Sequence, residues 1–126
     1  MRCAKFGLLL LALTLALCLV SLHTLSGITR GTEARLVRAH ELAGAGAYAA
    51  AADAVEDAER LWRSHELFLG AVLRHAESDE LQFLFARLPA YSGADNAAEF
   101  QAACLELCEH LRHILDTEQP RLYNIF

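Results

Sequence analysis

Five side chains in the carboxyl-terminal half of the sequence have the types and spacing for metal ligation or acid–base chemistry. Glu106, His110 and His113 lie at positions i, i+4 and i+7, which places them on one face of a helix. His75 and Glu77 lie near a predicted helix junction and are candidates to complete a site from a second element. Carboxylate and imidazole groups on facing helices are the ligands of metal sites in helical bundles. These residues form a candidate polar cluster.

The cluster lacks the pattern that defines di-metal bundles. The sequence contains no Glu-x-x-His pair, and no second helix repeats the ligand spacing. His75 and Glu77 also have the types of a general acid–base pair, but a histidine near a helix end commonly bonds the final carbonyls. We therefore favour a solvated polar face, and we predict no catalytic residue, no bound metal and no cofactor.

The four cysteines do not have the spacing of a disulfide framework or of a CxxC motif. Cys3 and Cys18 lie beside or within an apolar run, whereas Cys104 and Cys108 lie one helical turn apart. The second pair has the types of a soft-metal site with His75 or His110. The alternative, which we favour, is that both are small buried hydrophobic residues.

The charge balance excludes several classes of function. The formal net charge is −5 at pH 7, and the sequence has no cluster of lysine and arginine. A nucleic-acid partner is therefore not expected, because such proteins present a basic face. Lys5 is the sole lysine and precedes the apolar run, so the rest of the chain lacks the lysine that P-loop and Schiff-base chemistry require.

An uncharged apolar run occupies residues 6–29, behind the basic residues Arg2 and Lys5. About 24 helical residues rise roughly 36 Å, enough to cross ~30 Å of hydrocarbon with some tilt. We predict an uncleaved membrane anchor over residues 1–29, which contacts the lipid bilayer through residues 6–29. A helical domain then occupies residues 30–126.

Two other interpretations of this run stay open. Signal peptidase requires small residues at −3 and −1, and cleavage after Gly27 would place Leu25 at −3. A lipoprotein site requires a small residue before the modified cysteine, whereas Leu17 precedes Cys18. Neither site fits its pattern well. If the segment is nevertheless cleaved, the chain is a secreted soluble helical protein, and this alternative stays open.

Flanking charges bear on the orientation in the membrane. Arg2 and Lys5 favour a cytoplasmic start, whereas Arg30, Arg35 and Arg38 argue for the opposite orientation. A short positive amino-terminal tail translocates poorly. We therefore predict a single-pass protein of the cell membrane with an extracytoplasmic helical domain.

Composition predicts an all-α fold. Ala, Leu, Glu and Arg dominate after residue 30, β-branched residues are scarce, and no stretch alternates with period two. We expect an amino-terminal transmembrane helix followed by a small antiparallel bundle of about four helices.

Glycine marks the first helix boundary. The first helix continues from the membrane or restarts near Thr32, and it runs to Ala43. Gly44 and Gly46 then predict a helix–helix turn. The second helix is predicted over residues 47–75.

Caps and prolines mark the later boundaries. Ser78 is a predicted N-cap for the third helix, which stops around residues 89–93. Asn96 and Glu99 have the spacing of a capping box for the fourth helix, which Pro120 ends. The apolar tail that follows is expected to fold back onto the bundle.

Apolar positions at steps of three and four predict the inward faces of these helices. The second helix presents Tyr48, Ala51, Val55, Ala58, Trp62, His65, Leu69 and Val72. The third presents Leu81, Leu84, Phe85 and Leu88. The fourth presents Phe100, Cys104, Leu107, Leu111 and Ile114.

Several landmarks of the second half occur together: Trp62, His75-Ala-Glu77, Arg87-Leu88 with Tyr91, Glu106-Leu107, and Glu118 followed by Asn124-Ile125-Phe126. With these residues and its apolar start, the chain resembles the bacterial family called domain of unknown function 4363. The resemblance covers roughly residues 45–126 and the architecture of the start. It implies a short protein with an amino-terminal membrane helix and a helical remainder, and it supplies no activity and no catalytic residue.

Two functional hypotheses follow. In the first, the chain is a non-catalytic, membrane-anchored module that binds another protein or its own copies. Long amphipathic faces on a small core favour this hypothesis, because they gain stability by packing against partner helices. In the alternative, the chain is a metal-binding helical-bundle protein or an enzyme that uses His75, Glu77, Glu106 and His110.

Overall fold

The computed structural model describes residues 1–118, and within that range every regular element is a helix. The five α-helices are α1 (Arg2–Gly44), α2 (Tyr48–Ser64), α3 (Glu66–Val72), α4 (His75–Arg87) and α5 (Ala97–Glu118). Short 3₁₀ turns at Leu88–Tyr91 and Ala94–Asn96 join α4 to α5. The all-α prediction is confirmed. The predicted helix end at Pro120 and the predicted tail lie outside the described residues.

Helix α1 is continuous from the apolar run into the helical domain, so of the two predicted alternatives the continuation from the membrane segment is confirmed and the restart near Thr32 is not found. Its 43 residues rise about 64 Å. Residues 2–20 are all exposed, whereas core positions begin at Leu25. Within residues 1–118, α1 is the one helix long and apolar enough to cross a membrane. The domain boundary at residue 29 stays a prediction, since α1 runs through it without a break.

The second half of α1 packs between α2 and α5. Gly46 forms the predicted turn with φ +79°, a conformation that L side chains rarely adopt. Helix α2 then runs back along α1, so that a Cβ placed on Gly31 would lie 3.0 Å from the Leu61 side chain. Helix α5 is also antiparallel to α1, because Gln101 bonds the His40 carbonyl whereas Arg112, farther along α5, bonds Glu33, which is earlier in α1. The three helices form the centre of the bundle.

The inward faces are as the apolar spacing predicts. All the predicted positions of the third and fourth helices are buried. On α2 and α3 the predicted stripe is buried or half-buried, and Trp62 is 4% exposed. Alanines on the facing sides of α1 and α2 let the two backbones approach closely. The buried Thr29 and Thr32 hydroxyls donate to the carbonyls one turn earlier at 2.7 and 2.8 Å, so neither leaves an unpaired polar group in the core.

The predicted long second helix over residues 47–75 is wrong, because α2 ends at Ser64. The Ser64 hydroxyl donates to the Leu61 carbonyl at 2.7 Å, and His65 Nδ1 lies 3.1 Å from the same oxygen. The His65 amide instead reaches the Trp62 carbonyl at 3.2 Å. Side chains thus compete with the backbone for a helical acceptor and interrupt the helix.

The predicted N-cap at Ser78 is also wrong. Helix α4 begins at His75, and its N-cap Arg74 makes no side-chain capping bond. Leu73 and Arg74 have extended backbone with ψ values of 153° and 143°. Leu73 is buried at this bend. The break between α3 and α4 is therefore accompanied by the packing of an apolar side chain rather than by a polar cap.

Candidate functional site

The predicted ligands on α5 face partly toward α4. His110 is half-buried, whereas Glu106 and His113 are exposed. His110 Nε2 lies 3.3 Å from a carboxylate oxygen of Glu80, which belongs to the second turn of α4. The α5 histidine therefore joins two helices through a partner that the sequence pattern did not indicate.

The two candidates at the helix junction belong to the start of α4. His75 is the first residue of α4, three residues after the end of α3, and is exposed, so its role in bonding the last carbonyls of the preceding helix stays a prediction. Glu77 lies in the first turn, where a carboxylate is favoured by the helix dipole. Its Oε2 atom is buried and has no hydrogen-bond partner among residues 1–118. Such an oxygen is costly to the fold.

These side chains do not converge on a metal-binding geometry. Among residues 1–118, no group of three or more His, Cys, Asp and Glu side chains is positioned to hold a metal ion. The hypothesis of a metal centre at His75, Glu77, Glu106 and His110 therefore gains no geometric support. The five residues stay a predicted polar cluster, of which His110 is tied to Glu80.

Cys104 and Cys108 are buried and carry free thiols. Burial raises the pKa of Cys104 to about 12, and the neighbouring Cys108 contributes to the rise. Burial also raises the pKa of Cys108 to about 11, with the charge of Glu33 as the next cause. A thiol with a raised pKa is a poor nucleophile and metal ligand near neutral pH. The prediction that both cysteines are buried is confirmed.

A second polar group lies around Arg87 at the end of α4. Its guanidinium donates to the Tyr91 hydroxyl at 3.2 Å and lies 5.8 Å from the centre of the Phe83 ring. The bond to Tyr91 raises the pKa of Arg87, and the charge of Glu106 contributes less. The i, i+4 spacing of Phe83, Arg87 and Tyr91 is the sequence signal that would have indicated this group.

An ion pair joins α1 to α5. Arg112 Nε and Nη2 lie 2.7 and 2.6 Å from the same oxygen of Glu33, and Arg112 Nη1 lies 2.8 Å from Glu109. The bond to Glu33 raises the pKa of Arg112. The two partners are 79 positions apart, so spacing along the chain carries no signal for this pair.

Two apolar grooves open on the surface. The first groove, of about 360 Å³, lies where α2 meets the 3₁₀ turn and α5, and Val55, Leu88 and Phe100 form its floor. The second groove, of about 440 Å³, lies beside the middle of α1. It is lined by Leu17, Cys18, Ser21, Leu22, Leu25, Val72 and Glu118. Both grooves are better suited to an apolar surface than to a small polar substrate.

Comparison with protein-family models gives one finding for this chain. The model described as Domain of unknown function (DUF4363) matches residues 19–125. The match begins inside the apolar run and so covers more of α1 than the sequence landmarks indicated. Comparisons with curated proteins and with solved structures gave no match.

Proposed function

The chain belongs to the family described as Domain of unknown function (DUF4363), and from this premise we propose that it is a single-pass membrane protein whose helical head is a non-catalytic binding module. The head is the part of the chain from Leu25 onward. The observation that carries the proposal is the first half of α1, where every residue from Arg2 to Val20 is exposed although most are apolar. Water is an unfavourable solvent for such a surface, and lipid is a favourable one.

Two threonine hydroxyls of the apolar run 6–29 also suit a lipid environment. The Thr14 and Thr24 hydroxyls donate to the Leu10 and Val20 carbonyls at 2.8 and 2.9 Å. Each hydroxyl is therefore satisfied within the helix, as a bilayer requires. Lys5, just before the run, is placed to reach the headgroup layer on one side.

For the orientation, we place the head outside the cytoplasm, on the strength of Arg2 and Lys5 at the start of α1. Protease added to spheroplasts, whose cytoplasmic membrane is intact, would then digest the head. The same protease would leave it intact if the head faced the cytoplasm.

The first groove is the surface that we assign to a protein partner. Its floor of Val55, Leu88 and Phe100 is apolar. The acidic side chains on its rim, Glu56 and Glu59, pair with arginines of the same helix at 3.1 and 2.7 Å. An apolar centre with a charged rim is the usual anatomy of a protein interface.

Two features support a non-catalytic role. The candidate ligands are dispersed between an α4–α5 pair and a separate helix start, rather than gathered around one centre. The two thiols of α5 are buried, and their raised pKa values keep them protonated at neutral pH.

Photocrosslinking in native membranes tests the binding module. Benzoylphenylalanine replaces Ala52, which lines the first groove, in the full-length chain. The matched control is Ala50, an exposed alanine of the same helix outside the groove lining. We expect a discrete larger product from position 52 alone. Two differently tagged copies of the chain, expressed together, identify whether the product is a self-adduct or an adduct with another protein.

Three results would contradict this part of the proposal. The first is that photocrosslinking from position 52 yields only the monomer. The second is the same smear of products from positions 52 and 50. The third is a stoichiometric metal in the purified chain whose removal by a chelator lowers the melting temperature, which would favour the metal-binding alternative.

A further inference from the structure

We propose that α3 is a second membrane contact, which rests its outward face on the interfacial layer of the bilayer beside α1. The inference depends on the proposed anchoring of α1. It assigns a lipid-binding surface to the head itself, so that the head is held against the membrane at two points rather than hanging from one helix.

The outward face of α3 is apolar and open. Leu67 is 95% exposed, the highest exposure of any large apolar side chain within residues 21–118. Gly70 and Ala71 follow one turn later on the same face, and a Cβ placed on Gly70 would meet no atom within 4 Å. This face is defined by Leu67, Gly70 and Ala71.

A basic side chain follows α3 directly. Arg74 lies in the extended bend after α3, whose first residue is Glu66, and residues 67–76 contain no acidic side chain. Arg74 is exposed and forms no ion pair with any residue in the range 1–118. Its guanidinium is therefore available to headgroup phosphates, while its aliphatic stem follows the apolar surface.

The second groove places α3 beside the membrane segment. Val72, at the end of α3, lines this groove together with Leu17, Leu22 and Leu25 of α1. The end of α3 therefore lies beside the apolar surface of α1, at a groove that Glu118 also lines. A bilayer that surrounds this part of α1 would lie next to α3 as well.

The length of α1 sets the depth of α3. If hydrocarbon begins at Phe6, about 20 helical residues cover its ~30 Å and end near Leu25. Val72 therefore lies at the edge of the hydrocarbon. Helix α3 rises only ~10 Å over its 7 residues, so its whole length lies within the depth at which interfacial helices bind.

Tryptophan quenching by brominated lipid tests this contact in the full-length protein. The protein is reconstituted in vesicles of phosphatidylcholine and phosphatidylglycerol whose acyl chains carry bromine near the headgroup end. Leu67→Trp adds a reporter at an exposed position, and the wild-type signal of the single native Trp62 is subtracted. We expect a blue-shifted emission that the bromolipid quenches roughly twofold, as for an interfacial side chain.

Two further variants make the result decisive. Leu105→Trp places a reporter on α5, at a position that is 48% exposed and farther from the proposed membrane surface. The emission of this tryptophan should be unquenched. Leu13→Trp reports the membrane segment itself and should be quenched by bromine placed deep in the acyl chains.

Each outcome separates the two proposals. If Leu13→Trp is quenched but Leu67→Trp behaves like Leu105→Trp, the α3 contact is overturned and the anchor stands. A blue-shifted but unquenched Leu67→Trp means that protein covers this face, which also overturns the contact. If Leu13→Trp is unquenched, the proposed anchor fails and the α3 contact fails with it.

Discussion

Residues 2–20 and residues 25–44 of α1 belong to one uninterrupted helix, yet they bury their side chains in opposite ways. The first segment is apolar on every side and contacts no other element closely enough to bury a residue. The second segment is buried at positions three or four apart, and its charged residues lie between them. The two segments therefore share one continuous pattern of helical hydrogen bonds but have different surroundings.

Continuity of a helix therefore does not indicate which part of it belongs to the core. An amphipathic segment finds its apolar surroundings in α2 and α5, whereas a segment apolar all round needs a solvent that is itself apolar.

Arginine in the first segment should abolish membrane retention. In the double variant Leu11→Arg with Leu15→Arg, each charge near the centre of the span costs about 2.5–3.5 kcal/mol of insertion free energy. We expect alkaline carbonate to release the variant from vesicles that retain the wild-type protein. The matched control, Leu105→Arg on the head, should stay in the pellet. Full retention of the double variant would remove the basis of the anchor.

One substitution made in both segments should have unequal effects on the head. Leu36 is fully buried, so Leu36→Ala should lower the free energy of unfolding by about 2–5 kcal/mol. Leu13 is 67% exposed, so Leu13→Ala should leave the unfolding of the head unchanged. Thermal melting of both full-length variants in detergent, followed by circular dichroism, measures the difference. Equal losses would mean that the two segments unfold as one unit.

The thiols of α5, which pack against the second segment, should make stability depend on pH. Their pKa values of about 12 and about 11 are raised above the ordinary 9.0. Below pH 9 the folded and unfolded thiols are both neutral, so this contribution is fully present. Above pH 9 the unfolded thiols ionise while the folded ones do not, so stability falls by about 1 kcal/mol per thiol for each pH unit.

The control is the double variant Cys104→Ala with Cys108→Ala, whose loss of melting temperature between pH 8 and pH 10.5 should be smaller than that of the wild type. The variant is less stable at both pH values, so the comparison concerns the slope alone. Equal slopes for the two proteins would show that the thiols ionise as readily in the fold as in the unfolded chain.

The smallest effect distinguishes two glycines of α1. Gly27 has open space around it, so Gly27→Ala should raise stability by about 0.5–1 kcal/mol through helix propensity. At Gly31 the new Cβ would lie 3.0 Å from the Leu61 side chain, so the gain should be smaller or reversed. Chemical unfolding of the two variants measures the order. A larger gain at Gly31 would mean that α1 and α2 pack less closely than described here.

The sequence predicted much of the fold and little of the polar chemistry. Spacing of apolar residues identified the inward faces of α4 and α5, because burial of a helix follows its periodicity. Gly44 and Gly46 identified the first turn because glycine readily adopts the positive φ that Gly46 has there. The interruption at His65 was missed, because it depends on two side chains that share one carbonyl oxygen.

The candidate polar cluster shows the same limit. Helical spacing correctly placed Glu106, His110 and His113 on one helix, but it did not indicate that Glu80 is the partner of His110. The Arg112–Glu33 pair joins residues 79 positions apart and is a product of helix packing. Spacing along the chain is a local property, whereas partners across helices depend on how the helices pack.

Residue types and their spacing were enough to predict that the chain is helical, that residues 6–20 are uncharged and mostly apolar, and where the core stripes lie. These properties depend on residue type and on the 3.6-residue period of the helix. Helix packing was needed to show that α1 passes unbroken from that segment into the bundle, and that α3 lies beside it with Leu67 turned outward. Such arrangements depend on which helices meet, and that is settled by the burial of many side chains together rather than by any one local pattern.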